Sequence, residues 1–326
     1  MDRDRSPVRV DAEYVLPLRW ETDDELDELT SYLQELAAHL RVTVVDGSPG
    51  ALYDAHARRW GATVRHVRPA PWPGRNGKVA GVMTGVRAAR AEAVVIADDD
   101  VRWRVDQLAA AVDLLQQGDV VRVQNVFEPL PWHARWDSAR SLVNRGLGSD
   151  FPGTLVVRRS ALLAAGGYDG DVLFENLELL RTVRAHGGTE IRADEICVRR
   201  LPPTTRHFWS QRVRQAYDSF AQPARLGAEA AVLPLLLWSA IRRRPGPAVS
   251  VLAAVTAVAS VGRVRHGGRA AFPASCVAWA PLWLLERAVC SWCALGLRLT
   301  GGVPYRHQRL VRAASSTGTL RRRATL

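Results

Sequence analysis

Short apolar runs alternate with amphipathic segments over the first two hundred residues of the chain. Runs of Val, Ile and Leu predict buried strands, and apolar residues at helical spacing predict helices. The predicted strands are 13–20, 41–45, 63–67, 93–97, 120–126, 153–158 and 190–197. The predicted helices are 21–40, 52–60, 78–91, 105–117, 160–165, 175–186 and 208–222, and residues 132–136 are predicted to be irregular. This alternation predicts an α/β fold with a doubly wound, mainly parallel sheet.

The pattern changes near Pro223, where long apolar segments begin. Segments 228–241, 247–261 and 271–297 consist mainly of Ala, Val, Leu and Trp, and the first two are short for a membrane span of about 20 residues. Flanking tryptophans and arginines favour the membrane over a helical core domain. We therefore predict a first domain over 1–222, followed by a membrane-associated region over 223–326. This region would contain two to three membrane helices, and in an alternative arrangement one of the helices lies in the membrane interface instead of crossing the membrane.

The charge distribution follows the same division. The net charge is +11 and the pI is about 10.4, but arginines concentrate after about residue 199, as in 242–244 and 321–323. These basic segments flank apolar ones, which favours a membrane-associated tail over a nucleic-acid-binding face. The N-terminus lacks the apolar core of a signal peptide. We expect a multi-pass protein of the cell membrane with its first domain in the cytoplasm.

Three consecutive aspartates follow the predicted strand at 93–97. Ligands of open α/β sheets bind beyond the carboxyl ends of the strands, where these side chains would stand. Asp98 and Asp100 are therefore candidate ligands of a hard divalent cation that also carries a phosphate. The other interpretation is a solvated turn that caps the helix starting near Arg104.

Spaced motifs lie at residues 44–48, 76–78, 98–100, 153–154, 166–169 and 211–215. Together they resemble the inverting family 2 glycosyltransferases with a GT-A fold, over roughly residues 13–220. The organisation is most similar to membrane-linked members of the ceramide glucosyltransferase-like and cellulose synthase-like kinds. A lysine at a helix N-terminus, as in 76–78, also suits a pyrophosphate by charge and helix dipole.

The resemblance implies the roles of individual residues. The donor-binding residues would be Asp46, Lys78, Asp98, Gln211 and Arg214. By the same analogy, Asp98 and Asp100 would hold Mg²⁺ or Mn²⁺ against the diphosphate of the donor. Such a metal neutralises charge on the leaving nucleoside diphosphate.

Two positions depart from the family pattern. Members place a Glu-Asp pair at a helix start, with Asp as the base, whereas this chain has Glu175 and Asn176. Asparagine cannot act as a useful proton acceptor, so Glu175, or Asp169 or Asp171 nearby, becomes the candidate base. The second departure is the family's Gln-x-x-Arg-Trp signature, which here reads Gln211 to Gln215 without the tryptophan.

The chain is thus expected to be a membrane-anchored, metal-dependent hexosyltransferase. It would move a sugar from a nucleotide-diphosphate donor to a lipid or glycan acceptor with inversion. The alternative is a catalytically impaired nucleotide-sugar-binding membrane protein that acts as an assembly partner. A third hypothesis, a nucleic-acid binder, predicts salt-sensitive DNA binding by residues 1–222; we expect no nucleic-acid partner.

Overall fold

The computed structural model describes residues 9–148, 150–305 and 308–325. Residues 1–5, on which the signal-peptide prediction rests, lie outside the described residues. The strands are β1 (Glu13–Leu18), β2 (Arg41–Asp46), β3 (Arg65–Val67), β4 (Ala93–Ile96), β5 (Val101–Arg102), β6 (Val120–Phe127), β7 (Leu155–Arg158), β8 (Glu190–Arg200), β9 (Val303–Tyr305) and β10 (Gln308–Leu310).

The helices include those that the sequence pattern predicts in the first domain, with shifted ends, except that the predicted helix at 208–222 is divided. They are α1 (Leu26–Ala37), α2 (Gly50–Trp60), α3 (Gly77–Ala88), α4 (Val105–Asp113), α5 (Trp132–Leu147), α6 (Arg159–Ala164), α7 (Glu175–Ala185), α8 (Thr205–Ser210), α9 (Arg212–Tyr217), α10 (Pro223–Ile241), α11 (Gly246–Val264), α12 (Gly268–Ala271), α13 (Ala280–Leu299) and α14 (Thr317–Ala324). Short 3₁₀ turns lie at Leu114–Gln116, Asp218–Ala221, Arg265–Gly267 and Ala274–Trp279.

Eight strands form one sheet in the order β3-β2-β1-β4-β7-β6-β8-β5. The pairs β1–β2, β1–β4, β2–β3 and β6–β8 are parallel, whereas β7 runs antiparallel to both of its neighbours. The central strand β4 is buried on both faces: Val95 joins the core on one side, and Val94 and Ile96 join the core on the other. These features confirm the predicted α/β class with a mainly parallel sheet.

Two local predictions were wrong. The stretch 132–136 begins the 16-residue helix α5, most of which is buried. Several polar residues on the buried side of α5 interrupt the helical spacing of its apolar residues. Asp137 is one of them, and it accepts two hydrogen bonds from Arg212 at 2.8 and 3.1 Å. The predicted helix at 208–222 is instead divided into part of α8, then α9 and a 3₁₀ turn.

Two helical segments, Pro223–Ile241 and Gly246–Ala271, are long and apolar enough to cross a membrane, and 17% of the apolar window of each is buried. The inner sides of these helices pack on the first domain. Trp136 and Phe208 share one core cluster with Val232, Val255 and Trp283. The hydrophobic core therefore crosses the predicted boundary at residue 222.

After α13 the chain returns to the first domain. We call residues 303–305 and 308–316 the return segment. The backbone N–H of Leu173 donates to Arg312 O at 2.9 Å, and that of Phe174 donates to Ala313 O at 2.8 Å. The tail beyond the apolar helices thus lies against the elements that precede α7.

Candidate active site

A cavity of about 380 Å³ lies between the sheet of the first domain and the C-terminal helices. Its lining includes most of the side chains that the sequence singled out. These are Lys78, Asp98, Asp100, Glu175, Asn176, Gln211 and Arg214. Segments from distant parts of the chain therefore converge on one volume, which is of the size of small-molecule sites.

The three aspartates after β4 point to three different partners. Asp98 Oδ1 lies 2.5 Å from Lys78 Nζ, and Asp100 Oδ2 accepts from Arg200 Nε at 2.8 Å. Asp99 instead accepts from Trp20 Nε1 at 2.5 Å, away from the cavity. The N-cap residue of α4 is Arg104, so the aspartates do not cap that helix. The helix-cap interpretation was wrong.

Lys78 is held in place by the start of α3. The side-chain oxygen of Asn76, the N-cap residue, accepts from the backbone N–H of Lys78 at 3.1 Å. Lys78 Nζ lies 2.5 Å from both Asp98 Oδ1 and Glu175 Oε1. Burial alone would lower the pKa of Lys78, but the charges of Asp98 and Glu175 raise it above its usual value. The ammonium is therefore charged and bridges the two carboxylates.

Arg200 is a site residue that sequence reasoning missed. It ends β8, and its guanidinium contacts Asp100 at 2.8 Å and Asp98 at 3.5 Å. Burial raises the pKa of Asp100 to about 6, against the opposing effect of Arg200. Burial would also raise the pKa of Asp98, but Lys78 and Arg200 hold it below its usual value. The adjacent arginines at the end of a predicted strand were the available signal.

The aspartates fit a divalent cation. Asp100 Oδ1 is buried and has no hydrogen-bond partner among the described residues. A free carboxylate oxygen beside a second carboxylate is the donor type that Mg²⁺ and Mn²⁺ prefer. Asp98 and Asp100 are therefore suited to hold such an ion together.

Glu175 is the first residue of α7 and is buried. Among the described residues, the cavity is lined by Glu175 and not by the other two candidate bases. Asp169 pairs with Arg312 at 2.6 Å, and Asp171 lies 3.6 Å from Arg75. Geometry thus separates Glu175 from the alternatives that the sequence left open.

Asn176 and Gly153 lie at the same point of the cavity wall. A Cβ atom added to Gly153 would lie 2.7 Å from Asp98 Oδ2, 3.0 Å from Asn176 Nδ2 and 3.3 Å from Lys78 Nζ. The amide of Asn176 is therefore close to the side chains of Asp98 and Lys78. The position where the family has its base does face the site, but it carries no base.

Asp46 is placed differently from the other predicted donor residues. It is fully buried, it is not among the cavity-lining residues, and its Oδ2 lies 2.7 Å from His56 Nδ1 and 2.9 Å from His66 Nε2. Burial would raise the pKa of Asp46, but hydrogen bonds from His66, Ser48 and His56 hold it well below its usual value.

The ligand atoms of Asp46, His56 and His66 lie within 4.8 Å of one another, which is compact enough to hold a metal ion. This cluster is not apparent from the sequence. The histidines are ten residues apart and come from α2 and β3, so no short motif reveals them. A donor-binding role for Asp46 stays a prediction.

The return segment completes the wall of the cavity. The hydroxyl of Tyr305 donates to Asn76 Oδ1 at 3.0 Å, and its ring lies 5.5 Å from the guanidinium carbon of Arg214. Gln211 lies between α8 and α9, at the break in the predicted helix. The tail therefore contacts both the Lys78 helix and the Gln211–Arg214 element.

The sequence model described as "Glycosyl transferase family 2" matches residues 24–159. The matched range contains Asp46, Lys78, Asp98 and Asp100, and it ends before Glu175. No characterised protein matched the chain by sequence.

The fold is similar to that of solved glycosyltransferases. The mannosyltransferase PcManGT from Pyrobaculum calidifontis, in complex with GDP-Man and Mn²⁺, superposes with a TM-score of 0.50 and 18% identity over 89% of this chain and 90% of that chain. S. aureus TarS 1–349, in complex with UDP-GlcNAc, gives a TM-score of 0.41 and 13% identity over 61% of this chain and 60% of that chain.

Proposed function

We propose that the chain, which matches the family 2 glycosyltransferase model over residues 24–159 and has a GT-A-like fold, transfers a hexosyl group from a nucleotide-diphosphate sugar to an acceptor in the cavity. The observation that carries the proposal is the arrangement around Asp98. Lys78 and Arg200 contact this carboxylate, and Glu175 shares the same lysine. Basic side chains, carboxylate oxygens suited to a metal ion and the acidic residue Glu175 thus line one cavity.

The diphosphate of the donor would bind to the cations of the cavity. Lys78 lies in the first turn of α3, where the helix dipole also favours a negative charge. Arg214 lines the cavity and offers a planar fork of donors that suits a phosphate. Gln211 would hydrogen-bond the donor beside it, and Asp46 remains a proposed contact for the base or ribose.

Asp98 and Asp100 would hold Mg²⁺ or Mn²⁺. When bound, the ion would offset negative charge on the departing nucleoside diphosphate. Arg200 holds both carboxylates in place through its ion pairs at 3.5 and 2.8 Å.

The proposed chemistry is a single in-line displacement that inverts the anomeric carbon. An acceptor oxygen attacks the anomeric carbon while the bond between this carbon and the diphosphate oxygen breaks. With a hydroxyl acceptor, the proton would pass to the carboxylate of Glu175, the candidate base that lines the cavity.

The apolar helices would anchor the protein in the cell membrane, with the first domain on the cytoplasmic side. Their outward side chains support this: Leu237, Trp238 and Ile241 are exposed on α10. Exposed apolar residues in this number are typical of a membrane-contacting surface. The acceptor is then a lipid or a membrane-bound glycan.

The test uses the full chain in detergent with a panel of GDP- and UDP-sugars and Mn²⁺, with GDP-mannose first. We expect metal-dependent release of the nucleotide from one donor. Asp100→Asn should lower this activity about a hundredfold or more, while Asp106→Asn, at an exposed position nearby, should not change it. No turnover of any donor by the parent protein would overturn the proposed enzyme.

A second function is favoured by one observation, the asparagine that faces the site at position 176. In this case the protein binds a nucleotide sugar without transferring it and acts as an assembly partner. An inert parent protein that becomes active as Asn176→Asp would support this function. A parent that is active, with unchanged turnover in Asn176→Asp, would contradict it.

A further inference from the structure

Apart from Arg212, which pairs with Asp137 at 2.8 Å, the cavity is lined by three arginines that the proposed donor chemistry does not use. We call Arg140 of α5, Arg225 of α10 and Arg287 of α13 the arginine cluster. Arg287 is 1% exposed, and none of its three guanidinium nitrogens has a hydrogen-bond partner among the described residues. Nε of Arg140 is also buried without a partner in this part of the chain. A cationic group of this kind is aimed into the cavity and unsatisfied.

The three side chains are neighbours. Arg225 Nη1 donates to Asn144 Oδ1 at 2.7 Å, and Asn144 lies one turn beyond Arg140 on α5. The charges of Arg225 and Arg140 both act on Arg287. The three helices therefore bring their arginines to one region of the cavity.

Among the described residues, only one arginine of the cluster forms an ion pair. Arg225 pairs with Glu229 at 2.8 Å, whereas Arg140 acts on the buried Asp150 through its charge alone. For Arg287, no carboxylate oxygen of the described residues lies within ion-pair distance, and Glu229 and Glu286 act on it from farther away. A buried guanidinium that has neither an ion pair nor a hydrogen bond is energetically unfavourable. An anionic ligand that binds it would remove that penalty.

We propose that the arginine cluster binds the phosphate monoester of the acceptor substrate. This inference rests on the proposed glycosyl transfer and names the acceptor class. A guanidinium matches phosphate oxygens with two parallel hydrogen bonds, which explains the use of arginine. The arginine cluster and Asp98 line the same cavity of about 380 Å³, so the phosphate would enter the volume in which the sugar is transferred.

A phosphate acceptor also accounts for Asn176. The second pKa of a phosphate monoester is about 6, so its oxygen is already ionised at neutral pH. That oxygen attacks the anomeric carbon, the bond from this carbon to the donor diphosphate breaks, and the nucleoside diphosphate leaves with the electron pair. No proton is transferred and no base is needed. Glu175 then serves to position Lys78 through their 2.5 Å ion pair.

The helices that supply the cluster also indicate where the phosphate comes from. Arg225 and Arg287 belong to α10 and α13, which expose Trp238 and Trp292 on their outer sides. A phosphate carried on a long alkyl chain could reach the cluster while its chain lies against these outer surfaces. The other source of the same chemistry is a water-soluble phosphate ester.

The first experiment measures binding to the full chain in detergent and does not depend on catalysis. Dodecyl phosphate should raise the melting temperature, whereas dodecanol should not. Arg287→Gln should weaken dodecyl phosphate binding at least tenfold, and Arg269→Gln, at an exposed position, should bind like the parent. Without ligand, Arg287→Gln should have a melting temperature no lower than that of the parent, because the substitution removes a buried charge that has no ion pair. Equal binding of dodecyl phosphate by Arg287→Gln and the parent would overturn the proposal.

The second experiment measures transfer from an active donor to three acceptors: dodecyl phosphate, dodecanol and phenyl phosphate. Glycosylation of dodecyl phosphate alone supports a lipid phosphate, and glycosylation of both phosphates supports a phosphate acceptor without a lipid requirement. Transfer to dodecanol at an equal rate contradicts the phosphate inference while leaving the glycosyltransferase intact. Failure of every donor to react would instead count against the proposed function, and the binding result would then stand by itself.

Discussion

Gly153 lies at the point where the proposed donor-binding residues Asp98 and Lys78 approach Asn176. Its missing side chain leaves room for the carboxylate of Asp98, the amide of Asn176 and the ammonium of Lys78. A Cβ at 2.7 Å from Asp98 Oδ2 is closer than a normal contact, so these groups would have to move. Catalytic geometry tolerates little displacement of this kind.

Gly153→Ala should therefore lower kcat/KM for the donor by about tenfold to a hundredfold. Measured melting temperatures should change little, because the strain falls on flexible side-chain ends. Gly50→Ala is the matched control, since nothing lies within 4 Å of its added Cβ. Parent-like kinetics in Gly153→Ala would show that Asp98 and Lys78 do not need their observed positions.

Asp218 is a half-buried acid in the lining of the cavity. Burial raises its pKa to about 7, and the charges of Arg214, Glu175, Arg140 and Arg287 act on it. A raised carboxyl pKa favours folding at low pH, and this advantage is lost as the pH rises from about 4 to about 7.

Asp218→Asn should therefore be more stable than the parent at pH 8, by on the order of 4 kcal/mol at most. The difference should shrink as the pH falls to 5, because the native parent is then protonated at this carboxyl. Chemical denaturation at several pH values measures it. Asp54→Asn, at an exposed position, serves as the control, and a pH-independent difference would contradict the raised pKa.

The sequence singled out cavity-lining residues that lie in short motifs and missed those that only the fold brings together. Lys78, Asp98 and Glu175 each stand at an element end beside recognisable neighbours. Arg200 and Arg287 come from a chain with many arginines, and only sheet pairing and helix packing distinguish them from the others. Composition does not show which arginine is buried without a hydrogen-bond partner.

At the scale of elements, buried strands and amphipathic helices were predictable from the sequence. The direction of each strand in the sheet and the burial of polar side chains were not. The apolar run of β4 identified a central strand, but nothing in its neighbours shows that β7 runs antiparallel to it. Helix α5 was missed because Asp137 and other polar residues on its buried side break the apolar period. Their partners, such as Arg212, lie far away in sequence.

The return segment acts through Tyr305, whose hydroxyl supports the Asn76 cap of the Lys78 helix. Tyr305→Phe should raise the donor KM a few-fold and lower stability by about 1 kcal/mol, the usual value of one hydrogen bond. Tyr305→Leu also removes the ring beside Arg214 and should have a larger effect on KM. If Tyr305→Phe keeps the parent KM, the return segment closes the cavity without positioning Lys78.

At the scale of the whole molecule, the first domain and the apolar helices share a core. Gly262 of α11 lies so close to the carbonyl of Leu142 on α5 that no side chain would fit between them. Helix α11 therefore covers part of the first domain, in addition to the membrane anchoring proposed for it.

Residues 1–222 expressed alone should consequently aggregate, since Trp136, Leu142 and Phe208 would lose their cover. Size-exclusion chromatography and circular dichroism, with the full chain in detergent as the control, measure this. A monodisperse, folded 1–222 that binds a nucleotide sugar would show that the shared core is dispensable.

The position of Lys78 has a further consequence for the order of events. One ammonium group serves Asp98 and Glu175 at 2.5 Å each. An arriving diphosphate that attracts this ammonium leaves Glu175 with less compensation inside a buried site, so occupancy at one substrate position changes the electrostatic field at the other. By thermodynamic linkage the effect is mutual. The two substrates should therefore not bind independently, and Lys78 is the group that couples their binding.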